Sequence, residues 1–210
     1  MSERIWFTAD THFNHANVIE YCGRPFSTVQ EMNERMVENW NECVGKHDRI
    51  YILGDFAFSH HVDLLDRLNG QKHLVLGNHD KMTTIALDRF ESVSQIKEIG
   101  FCGRKIVMCH FPLRTWNDSQ RGAVLLFGHT HGRCVTDNLS FDVGVDTHGF
   151  KPYSIDEIME MVKEREKVMR GNHRIVVDDH NGPRTQHYYQ DDVLWCKYLI
   201  KRKGENEDQK

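Results

Sequence analysis

The chain has 210 residues, 39% hydrophobic and 28% charged, which suits one principal core rather than several domains. With 27 basic against 31 acidic residues the formal net charge is -4, so no basic excess favours nucleic acid in general. No run approaches the roughly 18 uninterrupted apolar residues of a membrane helix, and residues 1–15 turn polar before a signal-peptide core could form. The expectation is a cytoplasmic protein whose 6 cysteines, with no C-x-x-C pair among them, are small reduced thiols in apolar surroundings.

Taken in chain order, residues 4–9 form the first strand, nearly all apolar and stopped at Asp10. Val29, Met32, Met36, Val37, Trp40 and Val44 then recur at helical spacing, and either Ser27 with Gln30 or Thr28 with Glu31 can box the N-terminus, which predicts a helix over 28–44. A second strand, 49–53, stops at Gly54-Asp55; a short helix over 60–68 ends at Asn69-Gly70; a third strand, 73–76, stops at Gly77-Asn78-His79-Asp80. Strands 105–109 and 123–127 stop at His110 and at Gly128-His129-Thr130-His131. Continuous apolar character suits strands covered on both faces, so the expected fold class is α/β, a layered sandwich of mixed β-sheets flanked by helices. Alternation over 139–145 predicts a half-buried strand, and Ser154 opens a charged helix to about 168. The expected organisation is a main domain over 1–170, an annex over 171–200 with a hairpin around Asn181-Gly182-Pro183, and a charged, disordered tail over 201–210.

The strand endings deliver Asp10, His12, Asp55, Asn78, His79, His110, His129 and His131. In open α/β sheets ligands bind beyond the carboxyl ends of strands, so residues more than 120 positions apart can converge. Oxygen and nitrogen donors without a thiolate suit Mn, Fe, Zn, Co or Ni. Seven such groups, with His79 left over, exceed the needs of one tetrahedral cation and would be used fully by two. G-N-H-D is expected roughly 0.005 times and G-H-x-H roughly 0.07 times in a shuffle of this composition, so their joint occurrence carries information. Asp10-Thr11-His12 alone fits a capping turn equally well, and Gly171-Asn172-His173, which follows a charged helix, reads as a helix end.

In this order Asp10-x-His12, Gly54-Asp55, Gly77-Asn78-His79-Asp80, His110 and Gly128-His129-Thr130-His131 resemble the motifs of the calcineurin-like metallophosphoesterase superfamily, over residues 4 to about 150. Residues 11–17, 22–26 and 110–116 resemble its small, uncapped bacterial and phage phosphoesterases. The resemblance implies two divalent metal ions per chain: Asp10, His12 and His131 would hold the first, Asn78, His110 and His129 the second, and Asp55 would bridge them. It further implies hydrolysis of a phosphate ester by hydroxide generated at the metals, with His79 as proton donor to the leaving group. The longer G-D-x-x-D-R phrase of many relatives is absent, as residues 54–59 read G-D-F-A-F-S. Arg24 and Arg114 are therefore the candidate anion clamps, Asp80 a candidate partner for His79, and Asn14, His15, Tyr21, Trp116 and Asn117 candidate pocket residues. The expected substrate is a phosphodiester or nucleotide-like ester, with a phosphomonoester, a nuclease activity and an inactive protein-binding scaffold as alternatives. No membrane partner and no strong nucleic-acid signal are expected, and the sequence leaves the oligomeric state open.

Overall fold

The computed structural model describes residues 3–59, 61–81 and 87–171, together with the backbone of 176–177, 185–190 and 193–198. The tail over 201–210 and the Asn181-Gly182-Pro183 turn lie outside the described residues. By its contacts the chain divides into two compact units, Met1–Val162 and Lys163–Lys210. No described helix is long and apolar enough to cross a membrane.

The first unit is built on two mixed sheets. In chain order its elements are β1 (Ile5–Thr8), α1 (Asn17–Cys22), α2 (Val29–Cys43), β2 (Arg49–Ile52), α3 (His61–Arg67), β3 (Gln71–Val75), β4 (Ser92–Ser94), β5 (Ile96–Phe101), β6 (Arg104–Cys109), β7 (Val124–Phe127), β8 (Ser140–Asp142), β9 (Tyr153–Ser154) and the start of α4 (Ile155–Gly171). One sheet has the order β4-β3-β2-β1-β9, parallel except for β9; the other has the order β5-β6-β7-β8, parallel except for the β5–β6 hairpin. In the second unit β10 (Val176–Val177), β11 (Thr185–Gln190) and β12 (Val193–Tyr198) form an antiparallel sheet.

Period-two alternation in the buried strands separates two apolar faces. Trp6, Ile50, Ile52 and Leu74 join Met32, Met36 and Trp40 of α2 and Leu64, Leu65 and Leu68 in and beyond α3 in one cluster, while Phe7, Tyr51 and Leu53 are buried on the opposite face. The helix α2 starts where the Thr28 hydroxyl accepts the Glu31 N–H at 3.1 Å, and Glu31 reaches back to the Ser27 N–H at 2.8 Å. Trp40 anchors its far end by donating Nε1–H to the Asn69 carbonyl at 3.0 Å. This core holds the carboxyl ends of β1, β2 and β3 at one edge. A parallel bridge from Ala9 to Gly144 brings the end of β1 to the segment after β8.

Candidate metal centre

Beyond the strands, the two loops after β1 and β2 stay in step: Asp10 N–H donates to the Gly54 carbonyl at 3.0 Å, His12 N–H to Asp55 at 2.9 Å and Phe13 N–H to Phe56 at 3.0 Å. Asn33 of α2 holds the first loop, accepting the Asn14 N–H at 3.1 Å and donating to the Asn14 side chain at 2.6 Å. Asp10, His12, Asp55, His129 and His131 all have positive φ, between 48° and 69°. Left-handed backbone costs a non-glycine residue about 1–2 kcal/mol, and such strain concentrated in one place marks a functional site.

Glycine in three of the motifs follows from crowding. A Cβ on Gly54 would stand 2.5 Å from His110 Nδ1, one on Gly77 2.6 Å from Asp55 N, and one on Gly128 2.7 Å from Asp10 Oδ2. Each motif therefore makes room for a candidate ligand of another.

The two carboxylates divide their oxygens in the same way. Asp10 Oδ2 accepts the His129 N–H at 2.8 Å, leaving Oδ1 buried without a hydrogen-bond partner. Asp55 Oδ1 accepts the His79 N–H at 2.9 Å, leaving Oδ2 3.6 Å from His12 Nε2 and 3.5 Å from His110 Nε2. Two groups of mutually close donor atoms gather at the strand ends, Asp10, His12 and His131 in one and Asp55, His110 and His129 in the other; a third, Cys22 and Asp146 with the same His131, shares its histidine with the first. Asn78 Oδ1 lies 2.9 Å from His110 Nε2, which places Asn78 beside the second.

The donor set fits divalent cations. His110 Nδ1 faces the Leu53 carbonyl at 2.8 Å and must donate there, so its Nε2 meets the oxygens of Asn78 and Asp55 with no proton to share unless the imidazole is charged. A cation between these atoms resolves the conflict. Both ring nitrogens of His12 are buried without a hydrogen-bond partner, and burial, with the charges of His131 and Arg24, lowers its pKa to about 2, which keeps it neutral as a ligand must be. Burial, reinforced by the carboxylates of Asp142 and Asp55, raises the Asp10 carboxyl well above its usual range in the absence of a cation. Asn78, His79 and His129 are exposed, whereas Asp10, His12, Asp55 and His110 form a buried floor, so the centre is an open basin.

Arg24 is not an anion clamp. Its guanidinium has no exposure and is consumed by Asp146, at 2.8 Å and 2.9 Å, and by the carbonyls of Thr11 and Asp10, at 3.0 Å and 2.7 Å. Asp146 also lies 2.7 Å from His131 Nδ1, so the proton shared there leaves Nε2 free to face Asp10 and His12. Asp142 shapes the same loop, accepting the Thr130 hydroxyl at 2.6 Å and the Gly132 N–H at 2.9 Å. Sequence reasoning passed over Asp146, whose signal was one aspartate four residues past β8.

Asp80 does not orient His79 through its side chain. Its carboxylate accepts the N–H groups of Asp55 at 2.7 Å, Gly77 at 2.8 Å and Phe56 at 3.0 Å, and so locks two motif loops together. His79 joins neither donor group, and its ring centroid lies 5.6 Å from that of His12. His15 lies 5.4 Å from His12, and Tyr21 6.3 Å from His15. Trp116 packs against the cluster of Val107, Cys109, Leu125 and Phe127 and donates to the Ala123 carbonyl, and Asn117 bonds Glu98 of β5. Arg114 is exposed on the loop after β6. The five described cysteines are free, with Cys109 buried and Cys102 exposed, so the expectation of apolar surroundings holds only in part.

Residues 4–145 match the calcineurin-like phosphoesterase superfamily domain. The chain belongs to that superfamily. Among its relatives, the uncharacterized protein MJ1445 of Methanocaldococcus jannaschii is 34% identical over 179 residues, covering 80% of this chain and 95% of the relative. The Gene 66 protein of Mycobacterium phage D29 is 29% identical over 199 residues, covering 78% of this chain and 98% of its own length. The crystal structure of AQ665, a protein of unknown function from Aquifex aeolicus, shares the fold at a TM-score of 0.63 and 24% identity, covering 76% of this chain and all of the other. The superfamily is metal-dependent, and the residues just past the strand ends include candidate metal-ligand groups.

Proposed function

We propose that this calcineurin-like phosphoesterase is a dinuclear, metal-dependent hydrolase of phosphodiesters or nucleotide-like esters. The observation that carries the reading is the position of Asp55 Oδ2, 3.6 Å from a histidine of one donor group and 3.5 Å from a histidine of the other, as a bridging carboxylate requires. Asp10, His12 and His131 would hold one ion, Asn78, His110 and His129 the other, and Asp55 both. Two such dications would supply an activated water and neutralise phosphoryl charge.

The chain's own residues supply the rest. Asp10 and Asp55 bring two negative charges against four positive ones, so the loaded centre attracts an anionic ester. His79 is pinned by its backbone to Asp55, exposed, and outside both donor groups, which suits a proton donor to a departing alkoxide. The open basin admits a diester with an organic arm on each side. With Arg24 buried, Arg114 is the candidate for a non-bridging phosphate oxygen.

His79→Asn tests the assignment. General acid catalysis contributes about 10² to 10⁴ in rate, so esters with a ribose-like leaving group should slow by that range. A p-nitrophenyl ester, whose leaving group needs no proton, should slow far less, and both ions should stay bound. Equal slowing of both esters with loss of an ion would make His79 a structural residue of the Gly77-Asn78 turn.

A further inference from the structure

Three exposed aromatic side chains stand out among the described residues, Tyr21 at 64%, Phe58 at 49% and Phe111 at 43%. None lies on a helix face or in a sheet where packing would explain it, except Tyr21 in the last turn of α1. Phe58 follows the Gly54-Asp55 motif and stacks on His15 with centroids 3.9 Å apart and planes at 17°. It lies 5.6 Å from His79 and 6.5 Å from His12, on the side of the first donor group. Phe111 follows His110 and lies 4.8 Å from His129 and 4.9 Å from His110, on the side of the second. The centre thus has one half-exposed phenyl ring on each flank. A ring kept in water beside a charged site loses the burial that aromatics normally gain, and what such rings offer is a face for a flat ligand.

Resting on the phosphodiesterase reading, we infer that Phe58 and Phe111 are stacking platforms for the two bases of a dinucleoside phosphodiester. The base on the leaving-group side would sit on Phe58, next to His79, and the other on Phe111. A phosphomonoester would use one ring at most. A long single strand wants a positively charged groove along its backbone, whereas the motif loops 10–16, 54–59, 77–81, 110–117 and 128–133 hold only Lys81, Arg114 and Arg133 as cations. The flanks therefore suit a two-base ligand of low charge.

The test compares a dinucleoside monophosphate with the same 3′,5′-diester lacking both bases, so that leaving group and charge are equal. Stacking on an aromatic side chain is worth roughly fivefold to a hundredfold per base. The metal-loaded wild type should favour the base-bearing diester in kcat/KM by at least tenfold, through KM. Phe58→Leu and Phe111→Leu, which keep apolar bulk and remove the flat face, should each shrink that preference, and the double variant should bring it close to one. Equal rates for both diesters in the wild type, or losses in the variants that are the same for both, would overturn the platforms while leaving the hydrolase reading intact. Should no ester be hydrolysed, the hydrolase reading falls by itself. Equilibrium binding of a methylphosphonate-linked dinucleoside then decides the platforms, which require weaker binding in the double variant and fail if binding is unchanged or undetectable in the wild type.

Discussion

Asp146 belongs to none of the motifs, yet it bonds Arg24 and His131 at once, and Arg24 in turn holds the carbonyls of Asp10 and Thr11. One buried ion pair therefore braces the backbone of one candidate ligand and the ring of another. Breaking such a pair from one side is costly because it strands a buried charge, about 3–5 kcal/mol. Asp146→Ala should destabilise the metal-free protein by about that amount and weaken metal binding by about 10- to 100-fold. The double variant Arg24→Met with Asp146→Leu, which strands no charge but leaves the Asp10 and Thr11 carbonyls without their donor, should recover only part of the stability and still bind metal weakly. Urea unfolding beside a Mn titration measures both, and full metal affinity in the double variant would show the pair to be a support of the fold alone. The pH dependence follows from its sign. Burial pushes the Asp146 carboxyl up, but the hydrogen bonds from His131 and Arg24 outweigh it and hold it below its usual range. A depressed carboxyl stabilises the fold above the unfolded value and loses that contribution as the pH falls below about 4. The metal-free wild type should show this loss on acidification and Asp146→Asn should lose less over the same range, other depressed carboxyls such as Asp48 and Glu157 keeping their share.

At the scale of elements, the centre hangs on loops whose positions are set from the core, and stability and site can be perturbed separately. Thr28→Ala removes the cap of α2 and should cost about 1 kcal/mol with no change in metal binding. Gly77→Ala puts a Cβ 2.6 Å from the Asp55 backbone nitrogen and should displace that aspartate, with loss of metal affinity far beyond any loss of stability. Unfolding curves and metal titrations on the two variants check the contrast. The same division explains what could be read from the sequence. Strands buried on both faces are written as continuous apolar runs, so β1, β2, β6 and β7 and the residues just past them were visible, and in β3 only the buried Leu74-Val75 end carried the signal. The edge strand β5 alternates exposed and half-buried residues and contains Gly100, and the 6-residue α1 is too short for periodicity, so neither was legible. Arg24 and Asp146 are 122 positions apart, and nothing in either local sequence announces a pair that forms only when the loops after β1 and β8 meet. The half-buried strand predicted over 139–145 shortens to Ser140–Asp142, because Asp142 turns its carboxylate to the Gly144 N–H and to the loop after β7.

For the molecule as a whole, the parallel strand order turns five separated motifs into one basin, and the sharing of each aspartate between a backbone N–H and the basin makes the loops and the donor groups a single unit. With a -4 net charge and few cations around the basin, bound ions would be the main source of attraction for an anionic ester. The claim on which this rests is the two-ion count. Elemental analysis of the chain reconstituted with Mn and freed of excess ion, performed in parallel on Asp55→Ala and His12→Ala, measures it directly. The account predicts two ions per chain in the wild type, loss of affinity for both in Asp55→Ala, loss of mainly one in His12→Ala, and hydrolysis of a diester only by the two-ion form. One ion or none in an active wild type, or the same mild loss of a single ion in both variants, would contradict it.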